Sequence, residues 1–450
     1  MNVRVPDLLI VALLAAGFAA VGETTLRRCS RDVLAWNESF LVGMAVCAAA
    51  LFPLSLLFPH GALVAELALM GFCVLTAAAR RVRARPGPPA RPSPRDPTTL
   101  LLLAAVLFVA GCFVALDLRY NLLWDGFQIW ASKTQLLFYE GALGRSWYPG
   151  DTYELRHLPY PPLVPLYEAL LDLIRGRFDF DSFKPVFLPF YFSMLVSVYG
   201  AARALVPARR AMLAALLLAL LPPLSTSHAA GGYADMPQAA FVAGVVSAAL
   251  NRRERGHVLP WLIGGLTTVK AEGTILAVVA CGAVLLCWLL ELSPEKPLPS
   301  RSRWKGVAVV ALFLGLRAAY IHWLGVEDSV YGALTASRIS EALARLPLVA
   351  RVCLVKMLSP RRWGLLWPAF GLAGLVLFIR GTSTEKSLVA ATASAAIVLA
   401  TVFLFTTWPL ELHIDQAYPR LLEQLAPAAV VCLAIGFGRA EGSMGGSAAA

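Results

Sequence analysis

The sequence predicts an all-α, polytopic membrane protein, and three observations carry that prediction. Of its 450 residues, 58% are hydrophobic and 15% charged, with a mean hydropathy of +0.67. Soluble domains carry about 25% charged and about 45–50% apolar residues. Apolar stretches near the ~20 residues that a helix needs to cross a bilayer recur along the whole chain. Lys and Arg gather in alternate segments between those stretches, the pattern of cytoplasmic loops. Disorder, a collagen-like fibre and an ordinary cytosolic enzyme are excluded.

About thirteen spans are read from the apolar runs: 6–22, 39–58, 60–79, 99–118, 183–203, 211–226, 236–250, 258–269, 272–292, 304–324, 364–380, 387–408 and 420–438. The eighth is short and forms half of a hairpin with the ninth. The organisation that follows has a three-helix N-terminal unit (1–79) and a basic, Pro-rich linker (80–98). A membrane core (99–292) carries an outer loop at 119–182, and a C-terminal set of helices (293–450) carries another at 325–363. The linker, with its run of prolines, is not expected to be helical.

The net charge of +11 admits two accounts, nucleic-acid binding or topology. Placement decides it. Seven segments, 23–38, 80–98, 203–210, 251–256, 293–305, 380–386 and the tail, hold 22 of the 39 Lys and Arg residues, while 59–60, 227–235 and 409–419 hold none. The positive-inside rule then puts the N-terminus outside and the C-terminus in the cytoplasm, with no nucleic-acid partner. Arg4 and the apolar run after it mimic a signal peptide, but Arg27, Arg28 and Arg31 outnumber Arg4, which favours an uncleaved helix. The high Ala, Arg and Gly content and modest loops read as a bacterial inner-membrane protein. Of eight Cys, six lie inside spans, and no CxxC occurs, so no disulfide framework is expected.

The two long outer loops are rich in Trp, Tyr and Leu, unlike disordered segments. Residues 126–142 (GFQIWASKTQLLFYEGA) set Phe127, Trp130, Leu137 and Gly141 against Lys133 and Glu140, as an amphipathic interfacial helix would. Residues 162–176 are helical in pattern but carry Glu168 and Asp172, so they read as a second interfacial or re-entrant helix.

Ionisable groups are expensive in lipid, so their positions inform. Asp125 follows the fourth span. His157 and Tyr160 close the same loop. His228 and Asp235 sit in HAAGGYADMP, Lys270 and Glu272 in GLTTVKAEG, and His413, Asp415 and Arg420 in ELHIDQAYPR. By the topology above, all face outward. A carboxylate there can serve as general base, and Lys270 and Arg420 can hold phosphate oxygens. Each has a structural reading too. Asp125 and Asp235 are good helix caps, Lys270 and Arg420 can snorkel, and the three histidines and the loop aromatics suit an interface. Trp124 and Trp130 also offer faces for sugar stacking. Arg361 and Arg362 lie outside, against the charge rule, either as ordinary loop charges or as a second anion contact. No HExxH, Cys/His ligand spacing, P-loop or GxSxG is present.

The order of these motifs resembles the GT-C superfamily of polytopic glycosyltransferases, which includes protein O-mannosyltransferases and aminoarabinose transferases. The matching segments are WDGFQIWASKTQLLFYEG, HLPYPPLVPLYEALL, GGYADMP, GLTTVKAEG and AYPRLLEQLAP, between about residues 99 and 438. The resemblance implies Asp125 as catalytic base and Asp235, His157, Tyr160 and Trp130 at the substrate or acceptor. It implies Lys270 and Arg420 at the phosphate of a polyprenyl-phosphate-sugar donor. The acceptor would be a glycan, a lipid or a protein. Asp125 is followed by Gly126 rather than a second acid, which leaves the superfamily's divalent metal open; no metal ligands are assigned. The competing readings are a transporter or lipid flippase, and a ligase for lipid-linked oligosaccharides.

Overall fold

The computed structural model describes residues 5–27, 33–83, 96–143, 157, 159–180, 183–225, 227–290, 300–325 and 335–445. The linker from 84 to 95, Cys29 and parts of both outer loops lie outside these residues, as does the side chain of His228.

The elements of the described residues are helices joined by turns. The chain opens with α1 (Val5–Thr25), α2 (Val33–Leu57), α3 (Ala62–Arg83) and α4 (Pro97–Asp117). α4 starts where Asp96 accepts from the Thr98 amide at 3.3 Å and Pro97 takes the first helical position, as helix-start chemistry favours. A π-helical turn (Gly126–Ala131) then leads into α5 (Ser132–Glu140). α6 (Leu163–Arg175) stops at left-handed Gly176. A 3-10 turn (Lys184–Phe187) precedes α7 (Leu188–Arg203), which is followed by α8 (Ala208–Ala219), short α9 (Pro222–Ser225) and α10 (Ser227–Ala230), and α11 (Asp235–Leu250). Short α12 (Arg252–Arg255) leads to the hairpin of α13 (Leu259–Leu266) and α14 (Glu272–Leu290). The chain closes with α15 (Ser300–Leu324), α16 (Ala336–Met357), α17 (Pro360–Trp363), α18 (Leu366–Arg380), α19 (Ser383–Thr401) and α20 (Leu410–Gly445).

A helix stands at each of the thirteen expected spans. Eight, among the described residues, are long and apolar enough to cross a membrane, and three shorter apolar helices accompany them. The protein is a polytopic, all-α integral membrane protein. Four expectations change. The linker's first residues, Arg80–Arg83 in sequence, continue α3, because proline begins only at Pro86. The second outer loop contains α16, 22 residues capped by Thr335, whose charges made it look like loop. Residues 410–419, expected as loop, are the first turns of α20, which runs through Pro419. α6 is buried from Leu163 to Asp172, which removes the interfacial one of its two expected readings and leaves the re-entrant one. Its carboxylates are satisfied locally: Thr134 donates to Glu168 at 2.6 Å, and Arg175 pairs with Asp7 at 3.2 Å and Asp172 at 3.5 Å.

The N-terminal helices pack directly on the core. Phe18, Phe40, Tyr167 and Phe190 form one aromatic cluster joining α1, α2, α6 and α7, and the Tyr167 hydroxyl donates to the Val11 carbonyl at 2.9 Å. Three carboxylate–arginine pairs pin one end of the bundle: Glu23–Arg81 at 2.5 Å, Glu38–Arg255 at 2.7 Å and Glu385–Arg439 at 3.0 Å. Arg255 follows the C-terminus of α11 and Asp235 begins that helix, so a second polar cluster stands at the opposite end, about 24 Å away at 1.5 Å per residue.

Candidate functional site

That opposite end is built by two loops in backbone contact. The Leu123 amide donates to the Gly231 carbonyl at 3.0 Å. A Cβ at Gly126 would stand 2.3 Å from the same oxygen, closer than any side chain allows, so the Asp-Gly step is what lets the first loop reach the second. The contact brings Asp125 and Asp235 to a common partner. Arg420 donates through Nη2 to Asp125 Oδ2 at 2.6 Å and through Nε to Asp235 Oδ2 at 3.0 Å. Lys270 Nζ and Gln424 Nε2 each donate to Asp235 Oδ1 at 2.8 Å.

Each element sets one of these side chains. Lys270 rides the tip of the α13–α14 hairpin, held tight because Gly273 passes where a Cβ would meet the Leu266 carbonyl at 1.8 Å. Arg420 and Gln424 are one helical turn apart on α20 and share a face. The guanidinium of Arg420 also lies 4.3 Å above the Tyr233 ring, a cation–π contact. Glu272 closes the group at 3.7 Å from Lys270.

Burial separates the two carboxylates. The Asp235 side chain is 1% exposed and surrounded by donors, whereas Asp125 is 16% exposed at the rim. Neither acts as a helix cap: the Asp125 side chain makes no capping hydrogen bond, and Asp235 spends its oxygens on Lys270, Arg420 and Gln424. Lys270 does not snorkel but is buried. Burial opposes its charge, but Asp235 and then Glu272 outweigh that and raise its pKa above the usual lysine value. Burial, and then the Asp125 charge, push the Tyr233 hydroxyl up to about 12.

No protein-family model matches this chain, and no curated protein does. Among solved structures it is similar to the crystal structure of ArnT from Cupriavidus metallidurans bound to undecaprenyl phosphate. Identity is 15% over 76% of this chain and 60% of that one, and the TM-score is 0.48. The chain thus spans less than two thirds of that structure's length.

The remaining expected residues form a second group beside the first. Tyr160 stacks on Trp130 (5.6 Å between centroids) and on His157 (4.9 Å). Trp130 is buried, so its faces are taken by protein. Lys133, expected on the polar face of its helix, is instead buried beside Trp130. Positions 130, 133 and 137 share one face, and the ammonium finds the His157 carbonyl at 2.7 Å and the Tyr160 carbonyl at 3.3 Å. Burial, and then the Arg317 charge, lower its pKa well below the usual lysine value. His413 and Asp415 turn elsewhere, to Thr406 at 2.7 Å and to Lys356. Arg361 is exposed on α17.

A divalent metal does not fit between Asp125 and Asp235, because the Arg420 guanidinium occupies the place where it would bridge them. No group of three His, Cys, Asp or Glu is gathered among the described residues. Sequence reasoning missed Gln424, Tyr233 and Arg317. Gln424 had one signal, its position four residues after Arg420, and Arg317 had another, a charge inside an apolar run.

Proposed function

We propose that this chain is a glycosyltransferase that moves a sugar from a polyprenyl-phosphate-linked donor to an acceptor hydroxyl, on the periplasmic face of a bacterial inner membrane. The observation that carries the reading is the Asp125–Arg420–Asp235–Lys270 network: a rim carboxylate held 2.6 Å from a cation that is itself anchored behind it. A site of this kind needs a base that substrate can reach and cations that stay in place when phosphate departs. Asp125 supplies the first. Arg420 and Lys270 supply the second, and buried Asp235 with Gln424 fixes their positions.

In the reaction the acceptor oxygen attacks the anomeric carbon while its proton passes to Asp125. The carbon–oxygen bond to phosphate breaks, and the electron pair leaves with the phosphate, facing Arg420 and Lys270. Attack from the side opposite the leaving group inverts the anomeric configuration. A positioned general base contributes about 10²–10⁴-fold, and electrostatic stabilisation of the leaving group is of similar weight. In the resting site Arg420 pairs with Asp125, which weakens the base. An arriving phosphate offers Arg420 a further anionic partner besides the two carboxylates and releases Asp125 toward the acceptor.

The test is release of radiolabelled sugar from a panel of polyprenyl-phosphate sugars by the purified protein in lipid nanodiscs, with crude membranes as acceptor. Release from one donor, with inversion at the anomeric carbon, supports the reading. No release from any donor by folded protein would contradict it and would favour a lipid transporter.

A further inference from the structure

A cavity lies inside the bundle, away from the charged network. α11, α13, α14, α19 and α20 each line it. α11 packs on α13 and α20, α13 on α14, α14 on α19, and α19 on α20, so the five helices form a ring around it. The cavity is half-open and measures ≈ 150 Å³. Apolar cavities of about this size stay free of water and take up apolar ligands.

Its lining changes character from one end to the other. Val242, Leu266, Leu276, Ala395 and Leu425 line the end nearest the network, Leu425 being the neighbour of Gln424 in sequence. Arg252, Cys287, Thr384 and Ser387 line the far end, where the Glu38–Arg255 and Glu385–Arg439 pairs also stand. Leu276 to Cys287 on α14 and Thr384 to Ala395 on α19 are each eleven residues apart. At 1.5 Å per residue both spans are about 16 Å. That matches one leaflet, half of the ~30 Å hydrocarbon core.

The polar groups gather only at the far end. Arg252 donates through Nη1 to Cys287 Sγ at 3.4 Å, and Thr384 Oγ1 lies 3.6 Å from the same sulfur. Ser387 is 4% exposed, and its Oγ has no hydrogen-bond partner among the described residues. A helical hydroxyl ordinarily donates to the carbonyl one turn back, as Thr392 does to Leu388 at 2.9 Å on the same helix. A buried hydroxyl left without an acceptor is costly. An ester or phosphate oxygen at this mouth supplies one.

An amphiphile fits this gradient in one direction only, with its head at the far end and its tail toward the network. A polyprenyl-phosphate donor held by Lys270 and Arg420 would run the other way and set its apolar terminus against Arg252 and Ser387. We propose that the cavity holds one acyl chain of a phospholipid from the leaflet at the Glu38–Arg255 end, with Ser387 donating to an ester or phosphate oxygen of that lipid. The chain braces the α13–α14 hairpin and α20, which carry Lys270 and Arg420, without touching either residue. This site stands apart from the reaction proposed above, and each can fail without the other.

The experiment is native mass spectrometry of the full-length protein, taken from nanodiscs of phosphatidylethanolamine, phosphatidylglycerol and polyprenyl phosphate and washed in detergent. Wild type is expected to retain one phospholipid. Ala249→Phe on α11 and Ala391→Phe on α19 fill the cavity from two walls and are each expected to lower retention about tenfold or more. Leu285→Phe, on the exposed side of α14, is expected to leave it within about twofold. Ser387→Ala adds no bulk, so it reports on the mouth even where a filling variant fails to fold, and is expected to lower retention about threefold. No phospholipid on wild type, polyprenyl phosphate in its place, or unchanged retention in Ser387→Ala or in both filling variants overturns the assignment. A loss in Leu285→Phe equal to that in the filling variants also overturns it, since the effect would then not belong to the cavity.

Discussion

Asp235 and Asp125 are chemically the same residue, yet the site uses them differently, and burial decides which does what. Asp235 is the shared partner of buried Lys270 and half-buried Arg420, so Asp235→Ala breaks the buried Lys270 pair and is expected to destabilise the protein by about 3 kcal/mol, the low end for breaking a buried pair, because Glu272 and Asp125 remain beside the two cations. The check is loss of monodisperse protein on heating in detergent. Asp125→Asn leaves Arg420 paired with Asp235 and is expected to melt near wild type in the same assay. The four ionisable residues of the network were legible in the sequence because charge is costly near lipid and so marks its own position. Gln424 and Tyr233 were not, because an uncharged side chain at an interface carries no such cost.

At the scale of elements, the close approach of two loops is the event that assembles the site. Gly126→Ala puts a methyl 2.3 Å from the Gly231 carbonyl, backbone that yields only by separating the loops. The expected result is loss of sugar transfer by at least tenfold with insertion intact. Gly176→Ala is the control: its φ of +69° strains a methyl-bearing residue by about 1–2 kcal/mol, but nothing stands within 4 Å of the added methyl, so transfer is expected to persist. Equal effects of the two would remove the argument for the loop contact. Helix positions were readable from apolar runs, while helix ends were not. α20 continues through Pro419 because the turns on either side are packed, and a sequence reader sees Pro-Arg as a start. α16 was hidden for a different reason: its four basic residues and Glu341 obscure an apolar stripe that only packing on α20 reveals. Lys133 was misread because it was set against Trp130 and Leu137, although i+3 and i+4 spacing puts all three on one face.

At the scale of the whole molecule, the bundle has two different ends. One is pinned by separate carboxylate–arginine pairs, and the other gathers its charges into a connected network. We propose from the charge distribution along the sequence that the first end faces the cytoplasm. A cysteine placed at Asn121 is therefore expected to react with a membrane-impermeant maleimide in intact spheroplasts, and one placed at Arg209 only after lysis. The opposite pattern inverts the topology and moves the proposed chemistry to the cytoplasm.

Whether Asp125 takes the proton of the acceptor is decided by comparing wild type with Asp125→Asn on the cognate donor in nanodiscs. The variant is expected to bind donor as well as wild type or better, since Arg420 is freed from the Asp125 carboxylate, while sugar transfer falls by about 10²–10⁴-fold. Transfer at a near-normal rate by the variant would exclude Asp125 as the base.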